Sequence, residues 1–194
     1  MDFSKEYVLE NEVVKLRLVK PEDVELLYPF AENEPTLWQY SLQLANGKEN
    51  MDIYFRFAFE QLKKEDSYPF IVFDKRTGEY AGSTRFSDFR KAHSTIQLGY
   101  TWYGSKFWGT GLNKNCKYLM LQFAFEKLNL QRVEFRADNN NARSIAAMKS
   151  IGCTVEGILR NNCQGPDCRR DSIVLSILNN EWFERVKQHL AAKC

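Results

Sequence analysis

No apolar run in this 194-residue chain approaches the roughly 20 residues that a membrane helix requires. Its opening, MDFSKEYVLE, lacks the apolar core of a signal peptide, so a cytoplasmic location without a membrane partner is expected. Histidine is scarce: two are present, and the five cysteines (Cys116, Cys153, Cys163, Cys168, Cys194) form no C-x-x-C pair. A metal centre is therefore not expected, and reduced thiols are. Charge of one sign is not in excess either. The formal net charge of +2 gives little electrostatic backing for a nucleic-acid partner, although TWYGSKFW interleaves aromatic and basic residues. Repeats, low-complexity tracts and linkers are absent, which predicts one domain over 1–194 with a full-sized core.

What is present is ordinary globular material, 44% hydrophobic and 27% charged. VVKLRLV (Val13 to Val19) reads as a strand. KPEDVELLYPFA then opens a helix, with Pro21 suited to the first helical position and Glu22 and Asp23 to the positive dipole end. A second helix is expected from about Asn50 to Lys64, with Ile53, Phe57 and Phe59 among its apolar positions. PFIVF (Pro69 to Phe73) and EYAGSTRFSDF (Glu79 to Phe89) flank a turn and read as an antiparallel pair. STIQLGYTWYG alternates, placing Ile96, Leu98, Tyr100 and Trp102 on one face. From Leu112 the period changes: Leu112, Cys116, Leu119, Met120, Phe123 and Ala124 mark an amphipathic helix ending near Leu128. QRVEFRA is a further strand, NNNARSIAAMKSIG a short helix capped by Asn and closed by Gly152, TVEGILR and DSIVLSIL a hairpin, and NNEWFERVKQHL a last helix. The order implies a mixed α/β (α+β) fold on a largely antiparallel sheet.

GSKFWGTGLNKN, at the strand-to-helix junction, places two glycines, Gly109 and Gly111, before a helix that opens with lysine rather than carboxylate. Lys106, Lys114 and Lys117 lie around it, and no acid follows until Glu126. A lysine in a first helical turn costs about 0.3–1 kcal/mol through the dipole. That cost is rational if an anion such as a pyrophosphate sits against the bare amides of the turn. The alternative is a tight connection with a solvated lysine face. Neither the P-loop spacing nor Gly-x-Gly-x-x-Gly is present.

At this point the residues resemble a family. Lys106-Phe107-Trp108-Gly109-Thr110-Gly111 is similar to the [Arg/Gln]-x-x-Gly-x-[Gly/Ala] signature of the GNAT N-acetyltransferases, with Lys at the first place. Asn141, Ser144, Gly152, Glu156, Gly157 and Arg160 fall in register with the segment that follows in the RimJ/RimL-like branch, and DSIVLSILNNEW resembles its ending. The resemblance covers essentially the whole chain. It implies the GNAT fold, a mixed, mostly antiparallel sheet of about seven strands flanked by helices. It also implies acetyl-CoA as donor, no metal, and an amine acceptor: a protein N-terminal α-amine, or a small-molecule amine such as a polyamine or aminoglycoside. A monomer or homodimer is expected. The amides of Phe107, Trp108, Gly109, Thr110, Gly111 and Leu112 would bind the diphosphate, beside Lys106. The strand Leu98, Gly99, Tyr100, Thr101, Trp102 would pair with the pantetheine arm and polarise the thioester carbonyl. Asn141 and Ser144 would contact the same arm.

Two departures bear on the chemistry. Many relatives carry Glu where this chain has Gln97, and an amide cannot accept a proton. Many carry Tyr where it has Met148, which leaves Ser144 or Tyr100 as hydroxyl candidates. Glu156 is either a water-linked base or a structural group pairing with Arg160. Asp138 and Asp171 are further water-linked candidates. His93 reads as surface, and Asn115, where relatives have Glu, as structural. Two function classes follow: an N-acetyltransferase working by direct attack, or a module that binds acetyl-CoA without turning it over.

Overall fold

The computed structural model describes residues 1–165 and 168–194. Its sheet has eight strands: β1 (Val8–Glu10), β2 (Val14–Leu18), β3 (Tyr68–Asp74), β4 (Glu79–Arg90), β5 (Thr95–Tyr103), β6 (Arg132–Asp138), β7 (Thr154–Gln164) and β8 (Arg169–Leu178). They lie in the order β1-β2-β3-β4-β5-β6-β8-β7. All neighbours are antiparallel except β5 and β6. The strand beyond the expected seven is β1. At three residues it is too short to show alternation, and it is ordered by pairing Leu9 with Leu16.

The first expected helix is divided. Pro21–Leu27 winds as a tight 3₁₀ segment, and only Tyr28–Asn33 (α1) is α-helical. Within the 3₁₀ segment Asp23 turns inward and accepts from Nη1 and Nη2 of Arg17 at 2.6 and 2.7 Å and from the Lys20 amide at 2.8 Å. Helix α2 (Lys48–Lys63) buries Met51, Tyr54, Phe55 and Ala58, one stripe at i, i+3, i+4 and i+7. Ile53, one of the apolar positions of this helix, is half exposed. Helix α3 (Leu112–Gln122) ends in a wider turn, Phe123–Lys127, where the Leu128 amide donates to the Phe123 carbonyl. It buries every apolar position expected of it. Helix α4 (Ala142–Ser150) follows β6, and the chain closes with helical turns from Asn179 to Ala191.

Two irregularities in β5 shape the site. Only Thr95, Ile96 and Gln97 pair with β6, opposite Arg132, Val133 and Glu134, so the two strands part beyond Gln97. On its other edge, Ser83 faces Trp102 while Arg85 faces Gly99, so β5 carries one extra residue, a bulge at Tyr100 and Thr101. Tyr100 there adopts φ 48°, a left-handed conformation rare for a bulky residue. The bulge also corrects the expected facing. Leu98, opposite Phe86, lies on the α3 side, where Phe86 stacks on Phe123. Trp102 instead packs on Phe30 of α1 and on Trp38.

Candidate active site

The glycine junction sits at the mouth of the parted strands. Gly109 (φ 74°) and Gly111 (φ 84°) both need left-handed backbone, and a Cβ on either would project into open space. Gly111 caps α3 without any side-chain hydrogen bond, and the first turn holds no acid. Among the described residues, the amides of Gly109, Thr110, Gly111 and Asn113 donate to nothing. Open space, bare donors and a helix dipole together suit a diphosphate.

The side chains around these amides are structural. Phe107 and Leu112 are core residues. Thr110 Oγ1 donates to the Phe107 carbonyl at 2.8 Å, and Trp108 Nε1 to the Tyr103 carbonyl at 2.9 Å. The expected lysine cluster does not assemble. Lys106 bonds Glu79 at 2.7 Å. Lys117 turns into the core and donates to Thr101 Oγ1 at 2.7 Å and Thr84 Oγ1 at 3.3 Å. Among the described residues no carboxylate pairs with it, and desolvation pulls its pKa down to about 7. A cation from outside this segment reaches the turn: Arg76, in the β3–β4 turn. Asp74 holds it, and its Nη1 donates to the Thr110 carbonyl at 2.9 Å. Arg143, at the start of α4, places its Cζ 3.6 Å from the centre of the Trp108 ring.

Asn141 caps α4, its Oδ1 accepting from the Ser144 amide at 3.0 Å. Its Nδ2 and the Ser144 Oγ make no hydrogen bond among the described residues. Tyr100 is partly exposed, and desolvation raises its phenol pKa, so it is a donor at neutral pH. Gln97 gives its Nε2 to Asp88 Oδ2 at 3.1 Å. Glu156 pairs with Arg132, rather than Arg160, and accepts from Ser176 at 2.6 Å; Arg132 first, against partial burial, holds its carboxyl below the usual range. Its strand, β7, is two beyond β6 in the sheet. The structure thus gathers the glycine turn, the bulge and the start of α4 around the cleft, while the Glu156 carboxylate is engaged by Arg132 and Ser176. Asn115 is buried and bonds Asn11 and the Gly111 carbonyl; His93 is exposed. Burial pushes the thiols of Cys116 and Cys153 up to about 12, which makes them poor nucleophiles.

The family described as "Acetyltransferase (GNAT) domain" matches residues 14–154. The chain is 26% identical over 180 residues to a Bacillus subtilis (strain 168) protein provisionally named ribosomal N-acetyltransferase YdaF, covering 89% of this chain and 94% of that one. It is 26% identical over 113 residues to "Uncharacterized N-acetyltransferase p20" of Bacillus licheniformis, covering 58% of this chain and 63% of that protein's length. A solved GCN5-related N-acetyltransferase from Brucella melitensis shares the fold, with a TM-score of 0.88 at 22% identity over 97% of this chain and 85% of that one.

Proposed function

The chain belongs to the GNAT acetyltransferase family, and we propose that one domain moves an acetyl group from acetyl-CoA directly to a primary amine. The observation that carries this reading is the pairing of a parted strand edge with a turn of bare amides at its mouth. When bound, acetyl-CoA supplies the acetyl thioester. The free amides of Gly109, Thr110, Gly111 and Asn113, backed by Arg76, hold the diphosphate, while those of Phe107 and Trp108 are taken by the Gly104 and Ser105 carbonyls at 3.0 Å. The edge of β5 from Leu98 to Trp102 aligns the pantetheine, and the free Nδ2 of Asn141 reaches the same arm. Tyr100 and Ser144 are the hydroxyls placed to donate a proton to the departing thiolate.

The acceptor must arrive neutral or lose its proton to water, because Gln97 takes none. A lysine amine with a pKa near 10.4 is about one part in a thousand neutral at pH 7.4, whereas an α-amine near 7.7–8.0 is roughly a fifth to a third neutral. This favours a protein N-terminal α-amine, in keeping with the ribosomal name of the YdaF relative. The poor nucleophilicity of the two buried thiols supports direct attack without an acyl-enzyme. The test is thiol release from acetyl-CoA against a panel of N-terminal peptides, polyamines and aminoglycosides. Acceptor-dependent release supports transfer. Acetyl-CoA binding with no release across the panel identifies a binding module instead.

A further inference from the structure

On the face of the sheet away from α3, Arg85 of β4 is wholly buried, and none of its three guanidinium nitrogens has a hydrogen-bond partner. No carboxylate among the described residues lies within 4.0 Å of it. Its companions are two aromatic rings, with its Cζ 4.1 Å from the centre of Tyr100 and 4.5 Å from that of Tyr54. Rings compensate a cation in part, but they leave five N–H donors unused. Lys117, equally buried on the opposite face, can release its proton. A guanidinium cannot, so the charge on Arg85 stays where water is excluded.

The position of that charge is informative. Arg85 lies directly across from Gly99, and Ser87 across from Gln97, so all four share the face where β5 and β6 begin to part. Tyr100, the ring over Arg85, sits in the bulge at left-handed φ, and its carbonyl accepts from Tyr54 Oη at 3.2 Å. Tyr100 is also the most exposed of the three, so rotating its side chain uncovers the guanidinium to the cleft.

We propose that Arg85 is the binding charge for an acidic group on the acceptor, which makes the preferred substrate a compact amine carrying a carboxylate within a few bonds, with Tyr100 as the cover that moves aside. This rests on the transferase reading above and adds the substrate class to it. The fork of a guanidinium matches a carboxylate in a bidentate pair, and one negative charge balances one positive charge. A phosphate dianion would leave buried surplus charge. A free amino acid and a peptide with an acidic first residue present the same chemistry.

The test compares matched acid and amide acceptors in the wild type and in Arg85→Met: aspartate with aspartate diamide, and peptides beginning with Asp with those beginning with Asn. The wild type should favour one acid over its amide by at least tenfold in kcat/KM, and the pair showing it identifies the source. Arg85→Met should erase the preference through KM, with kcat for the acid little changed. Equal use of acid and amide by the wild type, or an unchanged preference in Arg85→Met, overturns the proposal. Binding of N-acetyl-aspartate against N-acetyl-aspartate diamide reads the same site without turnover, so a failed transferase reading is told apart from a failed anion site. A tenfold preference for the acid that Arg85→Met removes supports the site, and no preference sinks it. Should Arg85→Met not fold, Arg85→Lys serves, keeping the charge and losing the fork.

Discussion

Arg76 reaches across from the β3–β4 turn and donates to the Thr110 carbonyl at 2.9 Å, while Asp74, almost fully buried, grips its other nitrogens. One side chain thus fixes the glycine turn and brings positive charge to it. Arg76→Ala should weaken acetyl-CoA binding by about tenfold, equivalent to roughly 1.4 kcal/mol, and flatten its salt dependence. Titration calorimetry at two ionic strengths checks both.

Gly111 tests the open approach. A Cβ there meets no atom within 4 Å, so Gly111→Ala should cost stability only through its left-handed backbone, about 1 kcal/mol. Gly111→Glu should abolish acetyl-CoA binding, because it sets a carboxylate where the diphosphate lies. A thermal shift with acetyl-CoA as large as that of the wild type would contradict this placement.

Asn141 and Ser144 should separate in function. Asn141→Ala removes an N-cap and should cost about 1 kcal/mol of stability along with acetyl-CoA affinity. Ser144→Ala should lower kcat while leaving that affinity nearly intact. Equal losses in both parameters would assign Ser144 to binding alone.

Lys117 gives the chain a pH signature. Its folded pKa of about 7 lies below the ordinary 10.5, so between those values the unfolded chain holds the extra proton. Stability should therefore rise with pH through this window, by up to about 1.4 kcal/mol per unit from this group. The penalty is complete below pH 7 and gone above 10.5. Denaturant titrations of wild type and Lys117→Met should differ in that slope; parallel curves would refute a neutral buried lysine.

The sheet, α3 and the glycine junction were legible because alternation, a three-to-four period and a Gly-x-Gly turn are written directly in side-chain pattern. Less local features were not. The bulge that sends Trp102 to the α1 side inserts one residue that no pattern marks, so strict alternation placed it with Leu98. In α2, Ile53, Phe57 and Phe59 surround the helix with apolar side chains, and only packing shows that Met51, Tyr54, Phe55 and Ala58 face inward. Arg85 stands among Ser83, Thr84, Ser87 and Asp88, and Lys117 follows Asn113, Lys114 and Asn115. A sequence reads such charges as solvated, and tertiary burial reverses that.

Amide-resolved NMR of the labelled chain, titrated with CoA, addresses the central claim directly. The largest shifts should fall on the amides of Gly109, Thr110, Gly111 and Asn113, followed by those from Leu98 to Trp102. Saturable binding that leaves these amides unmoved and shifts another surface would contradict the account.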